Sequence, residues 1–492
     1  MDLFRTIMHR LNVIGAFKEL GSTRERRKVL LSLSVGQLLL QLSQLPIAIA
    51  IPSVARHFDI PVTQASWMVI VRLLLLGSTV FLAARLGQRY GHLRIFIAGI
   101  VLMTLSSALA STSQYFVQLL FWSAGVGLGG ALLSANANAI LVMAFGDQER
   151  GRAFAVPITS ARIGTLTGLV LFGLFLQFLS WRFVFLTSLP IGLIALWVAL
   201  PLLKNKSLNE RESTHKDKLG FVGPVLMIAT LSAFILTGIH LHSGPDSFST
   251  VAAMNYHPKM FLGFLGLAIL FFVAQIFSKN PYFDFSYFKK KYFSMALFSN
   301  TTFHLSMLSV LTLVPIVIEE GLGMGPAVVV LILLPHQSMG LFLPAIAGWV
   351  YDRYNPKWLR PGSLLLIAIG LALLGLFAGK LPIYTLPILL FPASIGSALF
   401  NSPNNALVMN TLPENRSFAS GMLETTRQMG HTIGSIVGAA IVGLSLPLLI
   451  DSLPTNEAQH FYLQGFRYSA LIVVWIMIAG SIVALFHKDQ PA

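Results

Sequence analysis

Charged side chains occur at a few positions inside stretches of this chain that are otherwise apolar. Arg72 and Arg162 each lie well inside a long hydrophobic run in the first half of the chain. An ionised side chain is costly against lipid, so each guanidinium should face water, a counter-charge or a ligand. Because the planar guanidinium matches carboxylate and phosphate oxygens, the two arginines are candidates for binding an anionic substrate, with Ser43 nearby.

A second interpretation of the same two arginines is structural. A polar side chain inside a membrane protein can also bond groups of neighbouring helices, with no contact to a substrate. The first interpretation requires a guanidinium that lines a cavity, whereas the second requires a dry contact with backbone oxygens. The sequence leaves both open.

Three histidines lie in the apolar runs of the second half, at His304, His336 and His431. Histidine is the side chain that exchanges a proton near neutral pH, so these three are the candidates for proton coupling. The alternative for each is a neutral hydrogen bond between helices.

An amide cluster, formed by Asn401, Asn404 and Asn405, surrounds Pro403 in another apolar run. A proline removes one backbone hydrogen bond, and we expect it to interrupt the helix here. Broken helices expose polar backbone groups at transporter substrate sites, so the three asparagines are predicted to bind substrate. Hydrogen bonding between helices is again the alternative.

These side chains must be carried by helices, because the runs around them are long and almost free of charge. The 53.7 kDa chain is 55% hydrophobic and 11% charged, with a mean hydropathy of +0.74, which excludes a soluble globular class. About 20 apolar residues cross a bilayer as a helix, the element that satisfies its own backbone there. The sequence predicts an all-α polytopic membrane protein with fourteen spans, near 28–52, 65–84, 94–112, 115–144, 153–178, 183–203, 219–241, 259–277, 292–318, 325–350, 361–379, 382–411, 417–449 and 468–487.

The distribution of the net charge of +15 predicts the orientation of the chain. If the N-terminus is inside, few basic residues of the loops lie outside, namely Arg56, Arg182, Lys259, Lys380 and Arg467. This asymmetry follows the positive-inside rule and places both termini in the cytoplasm, within a bacterial inner membrane. The membrane orientation also explains the net positive charge, so we expect no nucleic-acid partner.

Motifs for catalysis and for cofactors are missing from the sequence. The chain has no cysteine, which excludes disulfides and thiolate metal sites, and no HExxH, Gly-x-Ser-x-Gly or phosphate-loop motif. His240, His242 and Asp246 are a weak metal candidate, since two histidines and one carboxylate in a loop are a common coincidence. We therefore expect no catalytic residue, no cofactor and no metal.

Charged stretches divide the spans into blocks, and a loop pattern recurs in both large blocks. It reads RLGQRYGHLR, with Arg89 and Gly91, and GWVYDRYNPKWLR, with Asp352 and Arg353, and we expect these residues to gate the cytoplasmic side. The expected organisation is an amphipathic segment at 1–27, a six-helix bundle at 28–203, a loop at 204–218, two inserted helices at 219–278, a loop at 279–291, a second six-helix bundle at 292–487 and a tail at 488–492.

Three segments carry a resemblance to a known family. They are WRFVFLTSLPIG at 181–192, NPYFDFSYFKKKYF at 280–293 and ASGMLETTRQMGHTIG at 419–434, together with Pro52 and Trp67. The chain resembles a major facilitator superfamily transporter of the fourteen-span drug:proton antiporter group. The resemblance implies two six-helix bundles with two extra helices, secondary transport by alternating access, and a monomer.

The chain departs from that group in its first spans. Ser43 stands where the group commonly has an acidic residue, and Gln88 stands in place of an aspartate. Ser123 and Val126 replace an arginine and a glutamine of span four, and Arg72 is a candidate to replace that arginine in space. These losses weaken the case for an exporter of cations.

Span five departs in the same way. Two prolines of the group give way to Thr165 and Leu169, which leaves three glycines expected to mediate helix packing, at Gly164, Gly168 and Gly173.

The expected function is secondary active transport of a small organic molecule, either an anion or a drug or metabolite, by proton coupling. Import or export of a siderophore or an acidic metabolite is an alternative, as is lipid flipping on the same fold. A membrane-embedded enzyme is a weaker alternative, because the polar residues are spread over both halves. Glu424 and Arg427 are expected to form a local ion pair near the cytoplasmic end of span thirteen.

Overall fold

The computed structural model describes residues 18–44, 47, 50–60, 62–65, 67–205, 222–237, 250–278, 281, 283–324, 326–447 and 454–486. These residues form helices and loops and include no strand, so the predicted all-α class is confirmed. Most of the segment at 1–27 and of the loop at 204–218 lies outside the described residues, as does the tail at 488–492.

Eighteen α-helices follow one another along the described chain: α1 Arg24–Leu42, α2 Ile51–Phe58, α3 Val62–Ala65, α4 Trp67–Tyr90, α5 His92–Ser111, α6 Phe116–Ala144, α7 Arg150–Phe178, α8 Trp181–Leu186, α9 Ser188–Ala199, α10 Val222–Leu236, α11 Val251–Ile276, α12 Lys291–Ile316, α13 Pro326–Ser338, α14 Leu343–Tyr354, α15 Leu359–Phe377, α16 Leu386–Thr411, α17 Arg416–Ser445 and α18 Thr455–Leu485. Short 3₁₀ turns join several of them, at Asp147–Glu149, Leu200–Lys204, Phe285–Lys289, Met339–Leu341, Ile383–Thr385 and Pro413–Asn415, and a π-helical turn at Val317–Gly321 extends α12.

Eleven helical segments of the described residues are long and apolar enough to cross a membrane, by length and composition. Three further helices, α1, α10 and α17, lie at the other predicted spans, near 28–52, 219–241 and 417–449. The observed helices are therefore consistent with the predicted fourteen spans.

Two prolines act differently from one another. Helix α1 ends at Leu42, earlier than the end of the predicted span. Helix α2 begins at Ile51, and Pro52 lies in its first turn, where a backbone donor is not needed. Pro403 was expected to interrupt its helix, and this prediction is wrong, because α16 runs through Pro392 and Pro403 without a break. Neighbouring helices in a membrane protein can satisfy the backbone groups that a proline frees.

The chain divides into two compact units. The first comprises Met1–His215, Leu341–Pro356 and Asn405–Gly421, and the second comprises Lys216–Gly340, Lys357–Asn404 and Met422–Ala492, as far as the structure describes them. No single point of the sequence divides the two units, because Leu341–Pro356 and Asn405–Gly421, from the second half of the sequence, belong to the first unit.

Glycines set the helix packing in each unit. In the first, α5 and α6 cross so closely that a Cβ atom at Gly99 would lie 2.6 Å from the backbone nitrogen of Leu133. In the second, a Cβ atom at Gly370 of α15 would lie 2.5 Å from the nitrogen of Ala393 in α16. Small residues let membrane helices approach until their backbones touch, which is where packing energy comes from in lipid.

Helix α11 is the least buried of the candidate spans. Only 11% of its most apolar 18-residue stretch is buried, and Leu262, Ile269 and Phe272 are exposed. A surface of this kind is stable against hydrocarbon and not against water, which agrees with an integral membrane protein.

Candidate functional site

Arg72 lies inside the first unit and is only 1% exposed. Its Nη1 donates a hydrogen bond to the backbone carbonyl of Ser43, and its guanidinium carbon lies 5.8 Å from the centre of the Phe185 ring. Ser43 caps the end of α1, where the last carbonyls have no partner within the helix, so a cation is favourable there. The expectation that Arg72 binds substrate is not supported, because the side chain is enclosed and bonded to a backbone oxygen.

Ser43 is buried with Arg72. Its hydroxyl lies 2.9 Å from the hydroxyl of Ser188 in α9, so it joins α1 to α9. Arg162, on α7, differs from both, because its side chain is partly exposed. Of the three residues expected to bind an anion, Arg162 is therefore the one that is not enclosed.

Asp352, at the end of α14, binds the beginning of α7. Its carboxylate accepts from the backbone nitrogens of Gly151 at 2.8 Å and Arg152 at 2.9 Å, and from Nε of Arg152 at 3.0 Å. The first amides of a helix have no partner within it, so this carboxylate acts as a cap and an ion pair at once. Gly348 makes the approach possible, because a Cβ atom there would lie 2.3 Å from the Gly151 carbonyl oxygen.

The other residues of the recurring loops have more local roles. Arg353 is exposed, and Arg89 is exposed with its guanidinium 5.5 Å from the ring centre of Tyr90. Gly91 precedes α5 with a φ of 99°, a conformation that a residue with a side chain rarely adopts. Asn136 was not predicted from the sequence. Its Oδ1 lies 2.7 Å from Nδ1 of His92, and its Nδ2 donates to the Ala83 carbonyl.

The three glycines of span five also differ from one another. A Cβ atom at Gly164 would lie 2.6 Å from the Leu38 carbonyl oxygen, so α7 contacts α1 at this point, and Gly168 is buried as well. Gly173 is exposed, and a Cβ atom there would meet no heavy atom within 4 Å in the described part of the chain. The packing role expected for Gly173 is therefore wrong.

His304 and His431 come together in the second unit. Nδ1 of His304, on α12, lies 3.2 Å from Nε2 of His431, on α17, and the two rings are nearly perpendicular. Both are at least partly buried, with His304 6% exposed. At this distance one ring nitrogen donates to the other, so the two imidazoles form a single hydrogen-bonded pair.

Two glycines that lie one turn apart bring these imidazoles to contact. A Cβ atom at Gly430 would lie 2.6 Å from the Thr301 carbonyl oxygen, and one at Gly434 would lie 2.2 Å from that of Leu305. Asn300 strengthens the same helix contact, because its Nδ2 donates to the Leu423 carbonyl at 3.0 Å and to the Thr426 hydroxyl at 2.9 Å. Gly430 and Asn300 were not singled out from the sequence.

His336 is placed separately from this pair. Its Nδ1 lies 2.8 Å from the Ser394 hydroxyl, which itself donates to the Leu390 carbonyl in α16. Since the hydroxyl hydrogen is used, His336 is the donor, and the bond joins α13 to α16.

The asparagines of α16 carry buried oxygens. Asn404 is fully buried, and its Nδ2 lies 3.5 Å from the Ala296 carbonyl of α12. The Oδ1 atoms of Asn401, Asn404 and Asn405 have no hydrogen-bond partner among the described residues. A buried acceptor without a donor costs about 1–3 kcal/mol, so these positions favour water or a ligand that donates.

Glu424 and Arg427 form the expected ion pair on α17, at 3.2 Å. Glu424 is 2% exposed and also receives Nε2 of Gln428 at 3.2 Å. The Arg427 side chain is 14% exposed, and its Nε has no partner among the described residues. A polar face therefore follows α17 from Glu424 through Arg427 and Gln428 to His431.

Metal ligation finds no candidate in the described ranges, where no group of three or more His, Cys, Asp or Glu side chains is arranged to hold an ion. His240, His242 and Asp246 lie outside the described residues.

This chain is similar to known proteins in sequence and in fold. The family model of the Major Facilitator Superfamily matches residues 33–340 and 296–492. The riboflavin transporter RibZ of Clostridioides difficile is 23% identical over 85% of this chain and 88% of its own length. The cephamycin export protein CmcT of Amycolatopsis lactamdurans is 26% identical over 90% of each chain. The structure of the proton:xylose symporter XylE has a TM-score of 0.61 at 13% identity and covers 92% of this chain and 94% of its own, which shows the fold alone.

Proposed function

The chain belongs to the Major Facilitator Superfamily, and we propose that it carries small organic anions across the bacterial inner membrane in a proton-coupled, alternating-access cycle. Transport of small molecules follows from the family, in which relatives are named for riboflavin transport and cephamycin export. The proton coupling, the charge of the substrate, the cytoplasmic location of both termini and the monomeric state are parts of the proposal.

The single observation that carries proton coupling is the His304–His431 pair. One nitrogen donates across 3.2 Å, so two neutral imidazoles share one hydrogen bond and can accept one further proton. A second added proton would place two positive charges in contact, which is unfavourable, so the pair exchanges one proton at a time. The resemblance implies an acidic residue in span one, where this chain has Ser43, so the histidine pair is our candidate for the group that exchanges the coupling proton.

Positive and amide groups support an anionic substrate. In the second unit, Arg427 is partly exposed in α17. In the first unit, Arg162 is a separate candidate and is partly exposed in α7. A guanidinium binds a carboxylate with two parallel hydrogen bonds, which a hydroxyl or amide substrate cannot match in strength. The Oδ1 atoms of Asn401 and Asn404 would accept hydrogen bonds from donor groups elsewhere on the same molecule.

Asp352 supports an alternating cycle. Its three bonds to Gly151 and Arg152 hold α14 against α7, and we propose that they break and reform as the cytoplasmic side opens and closes. Arg89, Gly91 and Arg353 belong to the same loops and would follow this motion.

The test is transport by purified protein in proteoliposomes, with fluorescein as an anionic probe, riboflavin as a larger polar probe and ethidium as a cationic probe. We expect fluorescein flux that follows an imposed pH gradient in wild-type protein. In His304→Gln and His431→Gln the flux should persist down a fluorescein gradient but lose its response to pH. His460→Gln is the matched control, because His460 is exposed on α18 and bonds only Gln464 among the described contacts.

Three results would overturn the proposal in separate ways. Ethidium flux without fluorescein flux would make the substrate a cation, and pH-independent flux in wild type would remove proton coupling. Scrambling of a fluorescent phospholipid in the same vesicles, with no dye transport, would favour a lipid flippase of this fold. Transport of a ferric siderophore would narrow the substrate to that class of polycarboxylate.

A further inference from the structure

Helix α17 contains a buried carboxylate and a guanidinium whose hydrogen-bond donors are only partly bonded. Glu424 is 2% exposed, and in the described structure its one cationic partner is Arg427, at 3.2 Å. Arg427 contacts the carboxylate only through Nη1, at 3.2 and 3.5 Å to the two oxygens. Its Nε is buried without a partner among the described residues, and its side chain is 14% exposed, so the guanidinium has hydrogen-bonding capacity that Glu424 does not use.

We propose that Arg427 is an anion-binding residue that alternates between Glu424 and the carboxylate of the substrate, and that Glu424 takes up a proton when Arg427 leaves it. The proposal rests on the proposed function and deepens it, because it names the residue that joins substrate binding to a proton. An anionic substrate competes with Glu424 for the same guanidinium and can offer it a bidentate contact, which Glu424 does not.

Glu424 cannot remain charged after this exchange without a large cost. A carboxylate that is buried without a partner is strongly unfavourable, so protonation follows loss of its cation. Gln428 then keeps the neutral acid in place, because its Nε2 already donates to Oε1 at 3.2 Å. No covalent bond changes in this step: one proton moves from solution to a Glu424 oxygen, and one ion pair replaces another.

The surroundings of Glu424 fit this role. Within the described part of the chain, the charged and titratable groups along this face of α17 and at its contact with α12 are Arg427, His431 and His304. Helix α18 contributes the hydroxyl of Ser469, which bonds carbonyl groups further along α17.

The experiment is fluorescein binding to purified full-length protein in detergent, combined with infrared difference spectroscopy. In wild type, dye binding should produce the carbonyl band of a protonated carboxylic acid. Glu424→Gln should bind fluorescein more tightly and lose that band, because Arg427 is released and no acid is left. Arg427→Ala should weaken fluorescein binding by about tenfold or more.

Matched controls and a neutral double variant keep the test decisive. Glu414→Gln and Arg467→Ala change exposed residues and should leave binding and spectrum unchanged. The double variant Glu424→Gln with Arg427→Gln removes both buried charges, so it should fold, and it should bind no fluorescein. Wild-type binding in Arg427→Ala or in the double variant overturns the inference, as does an unchanged band in Glu424→Gln. Absence of any fluorescein binding or flux in wild type overturns instead the proposed function on which the inference rests.

Discussion

Asp352 and Arg152 are joined by both backbone and side chain, 200 residues apart in the sequence. One carboxylate oxygen accepts the backbone N–H of Arg152 at 2.9 Å and its Nε at 3.0 Å, and the other accepts the N–H of Gly151. The side chain of Asp352 is only 3% exposed, so solvent screens this contact little. The end of α14 therefore depends on a charge to hold the beginning of α7.

Replacing Asp352 should destabilise the protein more than replacing its neighbour. Asp352→Ala leaves two helix amides and a guanidinium without their acceptor, which we expect to cost about 1.5–3 kcal/mol, the range for hydrogen bonds to charged groups. Asp352→Asn keeps one acceptor oxygen and should lose less. Thermal unfolding in detergent measures both, and Arg353→Ala is the control, because Arg353 is exposed. Equal unfolding temperatures for Asp352→Ala and wild type would contradict this account.

Gly430 should matter more to proton coupling than its small size suggests. In Gly430→Ala the new methyl group meets the Thr301 carbonyl oxygen and the Cβ of His304, so α17 must move away from α12. We expect a cost of about 1–3 kcal/mol for overpacking and a loss of pH-driven transport, because the histidine pair is separated. Thermal unfolding and proteoliposome flux measure the two effects.

Gly173→Ala is the matched control for Gly430→Ala. Its methyl group would meet no described atom within 4 Å, and alanine is a better helix former than glycine by up to about 1 kcal/mol. The variant should therefore transport normally and be equally or slightly more stable. Normal pH-driven flux in Gly430→Ala would show that the histidine contact is not needed for coupling.

The sequence predicted the helical class, and the observed helices are consistent with its fourteen spans, because charge and hydropathy are local properties. It also put forward His304, His336 and His431 together, and could not predict which two of them are in contact. His304 and His431 lie 127 residues apart, and their contact depends on the close approach of α12 and α17 at Gly430 and Gly434, which is a property of the packed helices. His336 also lies within an apolar run of the sequence, but in the folded chain it bonds Ser394.

The expectation for Arg72 failed for a related reason. A cation inside an apolar run indicates that a partner exists, and the sequence does not say whether the partner is a ligand or a carbonyl. The partner is the carbonyl of Ser43, which is available because α1 ends at Leu42, within a run that looked like one continuous span. The break in that helix, and not the arginine, was the missing information.

Arg72 should accordingly act on stability and not on substrate affinity. Arg72→Ala removes a donor from a buried helix end, which we expect to cost about 1–3 kcal/mol. Arg72→Lys keeps the charge and should recover part of that loss, whereas Arg56→Ala, at an exposed position, should be neutral. Thermal unfolding gives the stability and fluorescein binding gives the affinity of the folded fraction. A large drop in affinity with unchanged stability would restore the substrate-binding role.

His57 should titrate at a lower pH than an ordinary histidine. Partial burial, and then the positive charge of Arg182, lower the pKa of His57, and Arg182 Nη2 lies 3.2 Å from its Nε2. The guanidinium can donate only to an unprotonated Nε2, so protonation breaks this bond. Since the unfolded chain binds the proton more readily, the contribution of His57 to stability is complete above the ordinary value of about 6.5 and declines as the pH falls below it.

Histidine NMR titration in detergent checks this prediction, with His57→Gln used to assign the signal. The midpoint should lie below about 6.5 in wild type and should rise toward that value in Arg182→Gln, because the repelling charge is gone. Arg182→Gln should also weaken the contact with the Ser113 carbonyl, which the same guanidinium nitrogen makes at 3.2 Å. A midpoint that does not move in Arg182→Gln would assign the whole shift to burial, and a midpoint above about 6.5 in wild type would contradict the predicted sign.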